Sequence, residues 1–189
     1  MVKKYLKLFI SLVIILAITI AYLLSDFTVM YKNEEFVDLT HKTKEAQKEN
    51  LKAFTKIYEK INTKMKEQKC PCDRATDYIG PYRHGYSLTK LFYKLKIQRE
   101  FTQTDCFKYL LLNTDFKNFY GDSTYKTFGV KEASEFYFNK KINKLNEKEV
   151  LTLIAMLQNP SLYDPIRNKK VVQSRVLLLE HMLHTQDKN

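Results

Sequence analysis

Near the N-terminus, a run of apolar residues from Leu8 to Leu24 is interrupted only by Ser11 and Thr19. As a helix rising about 1.5 Å per residue, this run spans roughly 26 Å, close to the ~30 Å hydrocarbon core of a bilayer. A cleaved signal peptide is the alternative, but the run exceeds its usual ~7–15 apolar residues and a small-x-small cleavage site does not follow. The sequence therefore predicts a single uncleaved transmembrane helix over residues 8–24.

The charges around this run predict its orientation. Basic side chains precede it and acidic ones follow it: Lys3, Lys4 and Lys7, then Asp26, Glu34 and Glu35. Because basic residues near a span stay in the cytoplasm, residues 1–7 are expected to form a cytoplasmic tail. We expect a single-pass protein of the inner (plasma) membrane whose C-terminal domain is periplasmic or extracytoplasmic.

The composition of the 189-residue chain excludes several classes of protein. With 44% hydrophobic and 13% aromatic residues it is too apolar for a disordered chain, and three cysteines are too few for a disulfide-built miniprotein. The net charge is +11, from 32 basic and 21 acidic residues. Outside the membrane this charge favours anionic lipid headgroups and a phosphate-bearing partner. The predicted topology disfavours nucleic acid.

Helical spacing of apolar residues runs through most of the chain, and period-two alternation of a strand does not appear. We therefore predict a mainly α fold, with residues 25–69 as an amphipathic helical stalk and residues 70–189 as a helical domain. Residues 70–85 and 113–128 are expected to be loops, because turn residues or irregular aromatic sequence fill them. The helices are predicted at residues 44–68, 88–99, 105–113 (capped by Thr104), 130–139, 147–158 (capped by Asn146) and 169–184.

The three cysteines favour a disulfide over a metal site. Cys70 and Cys72 have a ligand-like spacing, but no further Cys or His cluster completes a set of four ligands. In an oxidising compartment, either of them can pair with Cys106, and the other thiol then stays free. The residues do not decide between the two pairings.

Several motifs stand in a fixed order in the last third of the chain. They are Gly129-Val130-Lys131-Glu132-Ala133, Tyr137-Phe138-Asn139-Lys140, Asn159-Pro160, Tyr163-Asp164-Pro165, and Arg175 with Leu178, Leu179 and Met182. Together they resemble the C-terminal half of the peptidoglycan glycosyltransferase domain, glycosyltransferase family 51. The amino-acid sequence of these motifs is most similar to that of the monofunctional biosynthetic transglycosylases. The resemblance implies a lysozyme-like helical lobe.

The resemblance also implies a substrate and a reaction. Members of this family polymerise lipid II, a disaccharide-pentapeptide on a polyprenyl pyrophosphate, into glycan strands. A glutamate takes a proton from the acceptor sugar 4-hydroxyl, which attacks the donor's anomeric carbon with inversion and expels lipid pyrophosphate. When His84-Gly85-Tyr86-Ser87 is laid on the family motif H-x-G-F-D with one residue dropped, Asp77 falls at the place of that glutamate.

Cationic side chains must neutralise the departing pyrophosphate. The candidates near Asp77 are Arg83, His84, Lys90, Lys94, Lys96 and Arg99. The family's Gly-Ser-Thr phosphate-binding tract has no counterpart, and Lys108 or Tyr109 stands where the family has its second catalytic glutamate. We expect no cofactor, although a divalent cation could assist pyrophosphate departure.

Two hypotheses of different classes remain. One is a divergent glycosyltransferase with Asp77 as base. The other is a non-catalytic, membrane-anchored module that binds the lipid-linked precursor or a cell-wall synthesis partner. A third, weaker alternative is a glycan-cleaving site with Glu100 or Glu132 as the acid, but the sequence pairs neither with a second carboxylate.

Overall fold

The computed structural model describes residues 2–25, 28–65, 70–80, 87–116 and 128–185. Within these ranges the regular secondary structure is helical, apart from one isolated antiparallel bridge between Asp115 and Phe128. The helices are α1 (Val2–Leu23), α2 (Glu34–Lys48), α3 (Lys52–Asn62), α4 (Pro71–Asp77), α5 (Leu88–Glu100), α6 (Gln103–Asn113), α7 (Gly129–Phe138), α8 (Glu147–Gln158) and α9 (Lys169–His184), with short 3-10 turns at Val29–Lys32 and Ile142–Lys144. The predicted mainly α class, with an apolar helix at its N-terminus, is confirmed, and the architecture is consistent with a lysozyme-like helical lobe.

Helix α1 contains the predicted apolar segment. Its residues Tyr5–Leu23 are long and apolar enough to cross a membrane, and none of them is buried inside the protein. The segment is therefore free to be covered by lipid, in agreement with the length argument made for residues 8–24.

The prediction of one continuous helix over residues 44–68 is wrong. Helix α2 ends at Lys48, Glu49 is extended, and α3 begins only at Lys52. The physical reason is burial: Leu51 lies in the core at 3% exposure, and the chain turns there so that two different apolar faces are covered. Helix α2 packs on α6, whereas α3 packs on α8 and α9.

The core is built around α6, which packs against α2, α4 and α7. Its buried Phe107 stacks on Tyr58 of α3, with ring centroids 3.9 Å apart. The helices before residue 70 thus share one core with those after it, because their inward apolar residues meet the same central helix.

Capping residues fix where several helices begin. Asn146 begins α8 as predicted, and its side chain and that of Glu149 cap each other's backbone N–H groups. For α6 the predicted cap was wrong by two residues: Thr102, not Thr104, is the N-cap, because Asp105 lies three positions after Thr102 and completes the same reciprocal arrangement.

A glycine is required at the start of α7. Gly129 has a φ of +78°, and a Cβ there would come within 2.6 Å of the Leu112 carbonyl oxygen. Its N–H donates to the Thr114 carbonyl oxygen at 2.9 Å, which joins the start of α7 to the end of α6. The first residue of the family-like motif is thus explained by backbone geometry.

Candidate active site

Asp77 is the last residue of the short helix α4. The loop predicted over residues 70–85 is therefore wrong for 71–77, because Pro71 occupies the first helical position, where proline is favourable, and does not interrupt the helix. Residues 81–86, which include the candidates Arg83 and His84, lie outside the described residues.

A disulfide fixes α4 to the central helix. Cys72 on α4 is bonded to Cys106 on α6, and the Cys72 N–H donates to the Gln103 side-chain oxygen at 3.2 Å. The prediction that either Cys70 or Cys72 pairs with Cys106 is confirmed, and Cys70 is the free thiol. Cys70 is the N-cap of α4. Cys72 lies within the helix and is buried in the core, where α4 packs on α6, so its sulfur is the one that can reach Cys106.

Two lysines of α5 face two aspartates of α4. The Lys90 ammonium lies 3.9 Å from the Asp77 carboxylate, and the Lys94 ammonium lies 3.6 Å from that of Asp73. Gln98, one turn further along α5, donates to Asp73 at 2.7 Å. The Asp77 side chain is 38% exposed, so solvent or a ligand can reach it while it is paired.

Lys96 occupies a different environment. It is only 6% exposed, and its ammonium contacts the Glu100 carboxylate at 3.0 Å and donates to the Leu24 carbonyl oxygen at 3.2 Å. The same ammonium lies 5.4 Å from the centre of the Tyr31 ring. Lys96 therefore connects α5 to the segment that follows α1.

Arg99, the remaining basic candidate on α5, is exposed in the last turn of the helix. The structure thus places Asp77 of α4 near Lys90 and Lys94 of the facing helix α5. Lys96 lies instead against the segment that follows α1. Both aspartates of α4 have lysine partners, so the two helices present a row of alternating charge to solvent.

A groove of about 390 Å³ lies beside the end of α4. Asp77 does not line it, but the next two residues of the chain do. The lining residues are Glu35, Asp38, Lys42, Tyr78, Ile79, Tyr109, Leu112, Asn113 and Phe128. This groove is where α2, α6 and the ends of α4 and α7 meet.

The groove includes one of the two positions that the resemblance gave for the second catalytic carboxylate. Tyr109 lies there and is buried, while Lys108 donates to the Gln47 carbonyl oxygen at 3.0 Å outside it. Neither side chain accepts a proton as a carboxylate does near neutral pH. The missing second glutamate is therefore not replaced at that position.

Two carboxylates of α2 line the same groove, and sequence reasoning missed them. Glu35 accepts a hydrogen bond from the Gly80 N–H at 2.6 Å, and Asp38 pairs with Lys42 at 2.7 Å. They lie about 40 residues before Asp77 in a segment assigned to the stalk. No motif marks them, because only the packing of α2 on α6 brings them to the groove.

Glu100 and Glu132, the acids of the third alternative, have local roles. Glu100 pairs with Lys96, and the Glu132 carboxylate accepts from the Phe128 N–H at 3.1 Å at the start of α7. Within the ranges that the structure describes, no group of three or more His, Cys, Asp or Glu side chains could hold a metal ion.

Two of the motifs that resemble the family, Tyr163-Asp164-Pro165 and the one that begins at Arg175, stabilise the turn between α8 and α9. The buried Asp164 carboxylate accepts from the N–H groups of Ile166 and Arg167, at 2.8 and 3.1 Å. Arg175 of α9 donates to the Gln158 side-chain oxygen at 2.6 Å. These contacts hold the turn between α8 and α9.

In the residues that the structure describes, fold and site together define a helical protein with one apolar N-terminal helix and two aspartates that face two lysines across neighbouring helices. The transglycosylase family pattern matches residues 86–183, which is just over half of the chain. The chain therefore belongs to the transglycosylase family. The prediction made from the motifs of the last third is confirmed.

Two curated relatives agree with this assignment. Penicillin-binding protein 4 of Bacillus subtilis (strain 168) is 30% identical over 88 residues, covering 47% of this chain and 13% of the relative. Penicillin-binding protein 1B of Haemophilus influenzae is 36% identical over 56 residues, covering 29% of this chain and 7% of the relative. The chain thus corresponds to a small part of each of these proteins.

Proposed function

We propose that this chain is a membrane-anchored peptidoglycan glycosyltransferase-like protein of cell-wall synthesis, with lipid II and the growing glycan strand as its ligands. The observation that carries the proposal is the family match across α5 to α9, which adjoins a helix that holds Asp77 opposite Lys90. The relatives named as penicillin-binding proteins support the same assignment.

In this proposal Asp77 is the general base. Its carboxylate removes the proton of the acceptor 4-hydroxyl as that oxygen bonds to the donor's anomeric carbon, and the bond from this carbon to the lipid pyrophosphate breaks. The position of Asp77 on a disulfide-held helix supports this role, because a base must be held within hydrogen-bond reach of the hydroxyl.

Lys90 and Lys94 bind the leaving pyrophosphate in this proposal, together with Arg83, His84 and Arg99. The Lys90 ammonium is 3.9 Å from Asp77, beyond ordinary hydrogen-bond distance, so it can turn toward a phosphate without losing a close bond. The buried position of Lys96 supports a positioning role instead, between α5 and the end of α1.

The proposed placement is a single pass through the inner membrane, with residues 1–7 in the cytoplasm and the helical domain outside. The lysines before the apolar helix and the acidic residues after it support this orientation. Membrane lipid and other cell-wall synthesis proteins are the partners that this placement makes accessible.

A second candidate function is non-catalytic binding of the lipid-linked precursor. The specific observation that favours it is the occupation of the second carboxylate's place by Tyr109 or Lys108. A site that lacks this acid can hold the substrate through its cations and apolar surfaces without accelerating glycosyl transfer.

One experiment separates the two candidates: polymerisation of labelled lipid II by the full chain in vesicles, beside Asp77→Asn and Asp73→Asn. Asp73 is a matched control, since it lies one turn earlier on α4 and also pairs with a lysine. Glycan strands from the parent and Asp73→Asn, but not from Asp77→Asn, support the enzyme. Saturable lipid II binding without product from any variant supports the binding module, and equal activity of Asp77→Asn excludes Asp77 as the base.

A further inference from the structure

The residues that follow Asp77 attach the end of α4 to the rest of the domain. Ile79 is buried in the core, and the hydroxyl groups of Tyr78 and Thr114 share a hydrogen bond at 3.2 Å, where α6 ends. Nearer the start of α4, the disulfide of Cys72 holds the same helix. Asp77 therefore lies between two attachments of α4 to the central helix.

A further attachment comes from α2. The Glu35 carboxylate accepts a hydrogen bond from the Gly80 N–H at 2.6 Å. The backbone of Glu35 is itself fixed, because its N–H donates to the side chain of Asn33, the N-cap of α2, at 2.9 Å. Hydrogen bonds in which the acceptor is a carboxylate are stronger than those between neutral groups. The first turn of α2 is thus joined to the segment that follows Asp77.

The part of the chain that makes this attachment lies outside the family match. The match begins at residue 86, whereas α2 ends at Lys48. Helix α2 packs on α6, and Glu35 and Tyr78 line the same groove. Displacement of a catalytic group by about 1 Å can lower a rate by ~10²-fold. A contact that fixes the end of α4 therefore bears on the chemical step as well as on the fold.

We propose that Glu35 is a positioning residue, which holds the end of α4, and with it the Asp77 carboxylate, through the hydrogen bond from the Gly80 N–H. The proposal rests on the role of Asp77 as general base in the proposed function. Glu35 acts as a hydrogen-bond acceptor and exchanges no proton with the substrate. A side chain that still accepts this bond should therefore replace it, whereas loss of the acceptor should slow the reaction without weakening substrate binding.

Three variants of the full chain test this proposal. Glu35→Ala removes the acceptor, whereas Glu35→Gln removes the charge and keeps a carbonyl oxygen that can accept from the Gly80 N–H. Glu34→Ala is the matched control, since Glu34 is an exposed acid in the same first turn and its side chain has no partner among the described residues. Each variant is assayed in vesicles for the polymerisation of labelled lipid II and for hydrogen–deuterium exchange of the Gly80 N–H.

We expect Glu35→Ala to lower kcat by about 10-fold or more, with KM within about twofold of the parent, because only the transition state needs an exactly placed base. Exchange of the Gly80 N–H should become several-fold faster in this variant. Glu35→Gln and Glu34→Ala should resemble the parent in both measurements. If Glu35→Ala does not fold, Glu35→Gln decides alone, since the proposal requires that it stay active.

Two results overturn the proposal when the parent is active. One is a parental kcat in Glu35→Ala, and the other is loss of activity in Glu35→Gln while the Gly80 N–H stays protected, because Glu35 would then act as an acid itself. A parent that makes no glycan contradicts the enzyme separately. The exchange measurement still decides in that case: faster exchange in Glu35→Ala supports the attachment through Glu35, and exchange equal to that of the parent overturns it.

Discussion

At the scale of single residues, Glu149 shows how one carboxylate both starts a helix and makes stability depend on pH. Partial burial by itself raises the pKa of this carboxyl, but the hydrogen bond from Lys140, the bond from the Asn146 backbone N–H and the Lys140 charge outweigh it, so the pKa is lowered. A lowered pKa in the folded state stabilises the protein above the pKa of the unfolded state, about 4.3. That contribution is lost as the pH falls through the folded-state pKa.

Glu149→Gln is therefore expected to lower the free energy of unfolding by about 0.5–1 kcal/mol at pH 7 and by little at pH 3. The measurement is denaturant unfolding of the full chain in detergent at both pH values. Glu135→Gln, at an exposed position of α7, is the control and should stay within about 0.5 kcal/mol of the parent at each. If Glu149→Gln lowers the free energy of unfolding as much at pH 3 as at pH 7, the stabilisation by Glu149 comes from packing and not from its charge.

The site residues differ in how far sequence could identify them. Asp77 was reached only through the resemblance, and its helical setting was missed because seven residues are too few to show periodicity. Glu35 and Asp38 could not be found at all, since their place in a groove depends on α2 packing against α6. Chemistry that depends on tertiary contacts leaves no local pattern.

At the scale of elements, the disulfide between α4 and α6 holds the helix that carries Asp77. Its cysteines are 34 residues apart, so the chain-entropy treatment gives about 3–4 kcal/mol of stabilisation. Cys72→Ala/Cys106→Ala should lower the free energy of unfolding by that amount in denaturant titrations in detergent.

Cys70→Ser is the matched control for the disulfide, because the Cys70 thiol is free. It should leave stability unchanged, and the unreduced, denatured parent should show one reactive thiol where Cys70→Ser shows none. A double variant as stable as the parent, or a reactive thiol in the unreduced, denatured Cys70→Ser variant, would contradict the assigned pairing.

Helix boundaries were predictable where capping and stop residues mark them. Helix α8 begins and ends where Asn146 and Asn159-Pro160 indicate, and α9 was also predicted at its observed ends. The break between α2 and α3 was not predictable, because no glycine or proline marks it and the burial of Leu51 determines it. The end of α2 is therefore determined by packing in the core and not by residues that stop a helix.

At the scale of the whole molecule, an apolar helix leads into a helical domain whose N-terminal helices share a core with the transglycosylase-like region. Helices α2 and α3 pack on α6, α8 and α9, so the chain from residue 34 onward contributes to one core. The contact of Lys96 with Leu24 joins that core to the end of α1. We expect this arrangement to hold the charged side chains that face each other on α4 and α5 (Asp73, Asp77, Lys90 and Lys94) close to the bilayer.

Both candidate functions require that the protein bind a lipid-linked disaccharide pyrophosphate, so the most direct test is the binding of fluorescent lipid II to the full chain in vesicles. We predict saturable binding that unlabelled lipid II displaces, that an equal amount of phosphatidylglycerol does not displace, and that the double variant Lys90→Gln/Lys94→Gln weakens. Binding no greater than that of a peptide comprising residues 1–33 would contradict this prediction.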